Sequence, residues 1–499
     1  MSKTILYDLK NHFAVIDDLG NAASLLGWDQ NTYMPPGGNA ARGQQMATLG
    51  VMIHDRITDK RVGKWLKELA KAKLNASDAA LVARVRHAYE RATKIPADFI
   101  EAYTKQRTQT QSVWIQARQS KNFAMFAPEF KKIIEMTRKQ ADYLGYKDHP
   151  YDALHDAYEI GSTAAKVKSV FAPLRDETVR LVKTIASSKM KIGDSVLHQH
   201  YDEQLQEQFA VGVVKAFGYD FNHGRLDRTV HPFAQGMGKY DVRITTRYDS
   251  NFLNMALFGT MHEAGHAMYE QGIADKYYRT PLGRSISLGI HESQSRLWEN
   301  LVGRSHHFWQ WAYPDLQKTF PKQLKKVPLE NFYGAINKVK PSFIRVEADE
   351  VTYNLHIMVR FELELALLEN KLKVKDLPEA WNSKYQDYLG ITPPDDAVGC
   401  MQDIHWSYGL IGYFPTYTLG NIMSVQLFEA AKKAHPDLEQ DIKKGQFETL
   451  LGWLKQNVHE HGSRYLPQEL LKKATGSELD SGPYVKYLNT KFRHLYDLA

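Results

Sequence analysis

Apolar residues recur at helical spacing along nearly the whole of this 499-residue chain. Val62, Trp65, Leu66, Leu69 and Ala70 follow the i, i+3, i+4, i+7, i+8 pattern of an amphipathic helix. Phe447, Leu450, Leu451, Leu454 and Val458 form a second stripe, and VTYNLHIMVRFELELALLEN (351–370) reads as a long, mostly buried helix. Stripes of this kind are buried by packing helix on helix, so the pattern predicts a mainly α fold. The interruptions are few. YMPPGG (33–38) is a turn, because two prolines and two glycines do not continue a helix, and TPPDDAVG (392–399) is a loop. KYDVRITTRYD (239–249) is the best strand candidate. There Val242, Ile244 and Thr246 alternate with Arg243, Thr245 and Arg247, the period of a half-exposed strand. Length alone allows about three domains. No Pro- or Gly-rich linker and no repeat divides the chain, so we expect one continuous body over residues 1–499.

Composition narrows the chemistry. Cys400 is the single cysteine, which rules out an intramolecular disulfide and a multi-cysteine metal cluster. Any metal site must therefore rest on histidines and carboxylates. The mixed, charged N-terminus MSKTILYDLKNHFAVIDDLG lacks a signal-peptide pattern, and no apolar run is long enough to span a membrane. Together with the lone cysteine, these features predict a cytoplasmic protein. The net charge of +7 is spread over helix-like stretches such as DKRVGKWLKELAKAK (59–73). There is no concentrated basic tract or nucleic-acid motif, so no nucleic-acid partner is expected.

GTMHEAGHAMYEQG (259–272) carries the sharpest chemical signal. On a helix, His262 and His266 share a face and can present both imidazoles to one ion. Glu263 lies about 100° round, better placed to reach an attacking water than the ion. This arrangement suits peptide hydrolysis, with a metal as Lewis acid and a glutamate as general base. Five residues alone also fit an ordinary polar helix face. A catalytic site needs a third protein ligand. SISLGIHESQSRLWENLVGR (285–304) offers His291, Glu292 and Glu299, which spacing does not separate.

Further segments extend the pattern. LLGWDQNTYMPPGGNAARGQQMATL (25–49), HPF (231–233), DVRITT (241–246), HEAGH (262–266), HESQS (291–295), IRVEAD (344–349) and GCMQDIHW (399–406) stand in this order. Over essentially its full length the chain resembles the carboxypeptidase Taq family of zinc metallocarboxypeptidases. The resemblance implies an almost entirely helical fold, with two lobes around a long substrate groove and a small β-sheet beside the metal. It implies His262, His266 and Glu292 as ligands of Zn2+, for which Co2+ or Mn2+ could substitute, and Glu263 as general base. It places Arg345 on the free C-terminal carboxylate of a peptide, with Tyr417 as its partner, and His231 and His405 near the substrate. A homodimer and broad selection of the released residue are implied as well.

The residues bear on these roles independently. Arginine's planar fork suits a terminal carboxylate, and Arg345 follows PSFI just ahead of an apolar helix, an odd place for a solvated charge. Arg243 and Arg247 could line the groove from the strand, whose edge could pair with a peptide. Asp349 and Asp403 are candidates to orient ligands or Arg345. Two other readings remain open on the residues alone: a metallopeptidase that cleaves internally or hydrolyses dipeptides, and a non-enzymatic helical protein with a structural or vestigial metal site. Glu263 speaks against the second, since a structural site has no use for a base.

Overall fold

The computed structural model describes residues 2–498, and helices dominate it. The chain forms two compact units, each assembled from separated segments. The first comprises residues 1–93, 193–336 and 424–478, and the second residues 94–192, 337–423 and 479–499. The chain thus changes unit five times, with no Pro- or Gly-rich linker between segments, which is why composition shows no boundary. No helix among the described residues is long and apolar enough to cross a membrane.

In the first unit the predicted stripe at 62–69 lies on the helix Lys60–Leu69, started by Asp59, whose carboxylate accepts from the Arg61 amide. Val62, Leu66 and Leu69 are buried in a core with Leu9, Phe13, Leu81 and Val85. Ala70 falls just past the helix and is exposed. The C-terminal stripe lies on and beside the helix Glu448–Asn457. All five of its residues are buried, and Phe447 packs edge-on against Phe217 at 4.9 Å.

The sheet of this unit has three short strands: β1 (Leu226–Arg228), β2 (Ala234–Gly236) and β3 (Val242–Thr246), ordered β1-β3-β2. β1 runs parallel to β3, with Leu226 opposite Ile244, and β2 runs antiparallel, with Gly236 opposite Val242. The strand expected at 239–249 is therefore the central one. Both of its edges are occupied, and a peptide has no free edge of β3 to join. The expected half-exposure also fails at Thr245, which is fully buried because its hydroxyl bonds both the amide and the carbonyl of Phe233. One helix, Leu253–Gly272, packs on β3 and β2.

In the second unit the helix predicted at 351–370 spans Tyr353–Leu368 and is buried at most positions. Its interior is not all apolar. His356, Arg360 and Glu364, four residues apart, form a fully buried polar stripe. Each polar side chain meets partners from other elements. His356 Nδ1 lies 2.9 Å from the Tyr385 hydroxyl, and Glu364 accepts from Trp406 Nε1, the Tyr151 hydroxyl and the Gly412 amide.

Candidate active site

His262 and His266 occupy successive turns of the Leu253–Gly272 helix. The helix Leu288–Arg296, capped by the Ser287 hydroxyl on the Ile290 amide, crosses it. The two backbones meet at Gly265: a Cβ there would lie 2.7 Å from the Gln294 carbonyl oxygen and from Ser295 Cα. A glycine that weakens the helix locally thus permits the close crossing. The crossing brings Glu292 Oε2 to 3.6 Å from His262 Nε2 and 3.4 Å from His266 Nε2.

These three donor atoms lie within 4.8 Å of one another. The two separations match the edge of a tetrahedron of ligands with bonds of about 2.1 Å, the geometry of a His2Glu metal site. The other ring nitrogens are engaged. His262 Nδ1 lies 2.8 Å from Glu299 Oε2, and His266 Nδ1 lies 3.1 Å from the His291 carbonyl. Donation from Nδ1 leaves each Nε2 lone pair pointing inward, the tautomer a metal requires. The residues present therefore fit a divalent cation.

The candidates for third ligand separate by geometry. Glu292 faces both histidines. His291 stacks on the His266 ring at 4.3 Å and turns its Nε2 to Glu270, 3.1 Å away. Glu299 lies behind His262. Beyond Arg296 the helix widens into a π-helical stretch, Leu297–Val302, which carries Glu299. Arg296 bridges the two carboxylates, with Nε 2.7 Å from Glu292 Oε1 and Nη1 3.0 Å from Glu299 Oε2. Arg296 lies outside the motifs singled out in the sequence, although 292, 296 and 299 share a helix face by spacing.

Electrostatics differ across the cluster. Glu263 is only 7% exposed, and burial pushes its carboxyl up to about 7, against the pull of His262. Burial works against a charged His262, but Glu292 and Glu299 outweigh it and raise its pKa. Burial, with His291 beside it, lowers His266 to about 3. Burial opposes the charge on Glu299, yet Arg296 and His262 lower its carboxyl to about 2. A bound cation adds positive charge here, which favours neutral imidazoles and an ionised Glu263.

Arg345, Tyr417 and His405 gather in the second unit. Arg345 is 6% exposed and sits in a short 3-10 turn. Its amide donates to Gln402 Oε1 at 2.8 Å, and its Nε and Nη2 donate to Asp403 Oδ1 at 3.1 and 2.9 Å. Nη1 donates to the Tyr353 hydroxyl at 3.1 Å. The Tyr417 ring lies 5.0 Å from the guanidinium carbon, and the Tyr417 hydroxyl is 3.4 Å from His405 Nε2. Burial disfavours a charged Asp403, but Arg345 and Arg360 hold its carboxyl far below the usual range. Asp403 thus orients Arg345, whereas Asp349 caps the turn at Val351 and Thr352. Gln402, Tyr353 and Arg360 were not singled out from the sequence. Arg360 had a signal, a charge in an otherwise apolar helix, since arginine is almost never buried unpaired.

His231 is exposed on the loop joining β1 to β2. Arg243 stacks on Trp28 at 4.2 Å and forms an ion pair with Asp241, while Arg247 is exposed and donates to the Val230 carbonyl.

The sequence profile of the carboxypeptidase Taq (M32) metallopeptidases matches residues 8–492. Thermostable carboxypeptidase 1 of Thermus thermophilus is 44% identical over 491 residues, covering 96% of each chain. Carboxypeptidase 1 of Bacillus subtilis is 39% identical over 483 residues, again covering 96% of each. The crystal structure of the M32 carboxypeptidase from Deinococcus radiodurans superposes with a TM-score of 0.97 at 41% identity, covering 99% of this chain and 100% of that one. The helical fold with one small sheet and the full-length similarity agree, and the chain belongs to the carboxypeptidase Taq (M32) family, as a metallocarboxypeptidase acting on peptides.

Proposed function

We propose that the chain is a zinc carboxypeptidase that releases single C-terminal residues, with His262, His266 and Glu292 as metal ligands and Glu263 as general base. The observation that carries this is the placement of Glu292 Oε2 at 3.6 and 3.4 Å from the two Nε2 atoms. A soft thiolate set is absent, and two imidazoles with one carboxylate suit zinc. When bound, the ion supplies Lewis acidity, which polarises the scissile carbonyl and makes water acidic enough to deprotonate near neutrality. Glu263 takes the proton of the attacking water and returns it to the leaving amine. Glu299 and the His291 carbonyl hold the imidazoles in register. Arg345 receives the terminal carboxylate, with Tyr417 beside it. His405, and His231 from its exposed loop, donate hydrogen bonds to the substrate or to the developing oxyanion. Family resemblance supports a homodimer and broad selection of the released residue.

The test is release of the C-terminal amino acid from an N-blocked peptide, run beside the same peptide as its C-terminal amide, with and without chelator. Cleavage of the free acid alone, abolished by chelator and restored by Zn2+, is expected. Equal cleavage of both peptides would overturn the exopeptidase assignment, and chelator-resistant cleavage would overturn the metal assignment.

A further inference from the structure

Resting on the reading of Arg345 as the carboxylate receptor, we infer that Arg360 is a positioning residue that keeps this receptor positively charged. Asp403 lies between two arginines. Its Oδ1 accepts from Nε and Nη2 of Arg345 at 3.1 and 2.9 Å, and its Oδ2 accepts from Nε of Arg360 at 2.6 Å, with Arg360 Nη2 beside it at ion-pair distance. An Arg345–Asp403 pair alone sums to zero and has little attraction for an anion. The second guanidinium restores an excess of two positive charges over one negative. Arg360 is fully buried, between the Trp381 ring at 4.6 Å and the Phe414 ring at 5.4 Å, and its Nη1 donates to the His356 carbonyl. Its side chain is therefore fixed and unable to bind substrate itself, so its charge acts through Asp403. Low local dielectric makes that charge count for more than at a surface.

The same bonds aim Arg345. A guanidinium has five N–H groups. Asp403 takes one from Nε and one from Nη2, and Tyr353 takes one from Nη1. One N–H remains on each terminal nitrogen, the number a fork onto both oxygens of a carboxylate requires. Asp403 is held in place from behind by Arg360, so loss of Arg360 disturbs both the charge and the aim of that fork.

The test measures KM and kcat of the zinc-loaded enzyme for an N-blocked dipeptide with a free C-terminus. Arg360→Met keeps the bulk and removes the charge. It should raise KM about tenfold or more with little change in kcat, the pattern of lost binding held equally in ground and transition states. Arg360→Lys should recover most of the loss. The pair Arg360→Met with Asp403→Asn should also bind better than Arg360→Met alone, because Arg345 regains an uncompensated charge. Equal losses for Met and Lys, or a double variant no better than the single, would overturn the inference. If Arg360→Met does not fold, a folded Arg360→Lys with tenfold-raised KM overturns it and one near wild type upholds it. Arg345→Ala, run in parallel, separates the two levels. If it keeps the preference for free C-termini, the receptor reading falls and this inference with it. If it loses that preference while Arg360→Met binds normally, only the role of Arg360 falls.

Discussion

Around the two histidines Arg296 lies between Glu292 and Glu299, with Arg304 on the far oxygen of Glu299 at 3.7 Å, whereas around Arg345 one aspartate lies between two arginines. The two clusters use the same ion-pair chemistry with opposite stoichiometry. Counting Glu263, the first sets three carboxylates against the two guanidiniums of Arg296 and Arg304 and suits a cation. The second holds a surplus of guanidinium and suits an anion. In both, the minority charge fixes geometry while the majority charge sets the sign of what is bound. A buried cluster balanced to zero would be simpler to desolvate, so the surplus in each is the feature to explain by ligand binding.

The largest test of this contrast is Glu263→Gln. It should lower kcat about 10²- to 10⁴-fold, the usual contribution of a positioned base, while zinc stays bound. Metal content measured on the purified variant checks it, and loss of metal would mean that Glu263 belongs with the ligands. Glu299→Gln comes next. It removes one charge of the carboxylate surplus and the anchor of His262, and should weaken zinc about 10- to 100-fold in competition with a chelator. Arg345→Ala should leave that zinc affinity unchanged. A drop as large as that of Glu299→Gln would mean that the two clusters do not have separate tasks. Gly265→Ala is smaller and mechanical. A methyl 2.7 Å from the Gln294 carbonyl oxygen forces the two helices apart, costing about 1–3 kcal/mol of stability in thermal unfolding together with weaker metal binding. Unchanged zinc affinity would show that the crossing has slack.

The smallest effect concerns pH. Burial raises Glu364 to about 7 in the folded chain, above the usual glutamate value of 4.5. A raised folded pKa means that its contribution to stability is complete below about 4.5 and is lost as pH rises through about 7. Glu364→Gln should lower stability overall, because the Tyr151, Trp406 and Gly412 donors expect an acceptor, yet flatten the decline between these pH values. Unfolding free energies across that range decide it, and an unchanged slope would assign the titration to another group.

Much of the molecule could be read locally, and the misses share one cause. The stripes at 62–69 and 447–458 and the helix at 353–368 follow from periodicity, because the 3.6-residue turn is set by the backbone itself. The face shared by Glu292, Arg296 and Glu299 follows from the same geometry. Periodicity did not reveal that β3 has neighbours on both edges, since β1 and β2 are three residues each and too short to show a pattern. It also rated the polar members of the 353–368 helix no differently from surface groups. Arg360 meets Asp403 from 43 residues away, and Glu364 meets Tyr151 from 213.

The sequence by itself determined which residues share a helix face: His262 with His266, and Glu292 with Glu299. These relations lie within one or two turns and depend only on local backbone geometry. Tertiary structure alone decided that Glu292, and not Glu299 or His291, turns toward the histidine pair. It also decided that Asp403 stands between two arginines. Those outcomes depend on where elements far apart in the chain cross, and a crossing such as that at Gly265 is set by close packing between backbones rather than by any local preference.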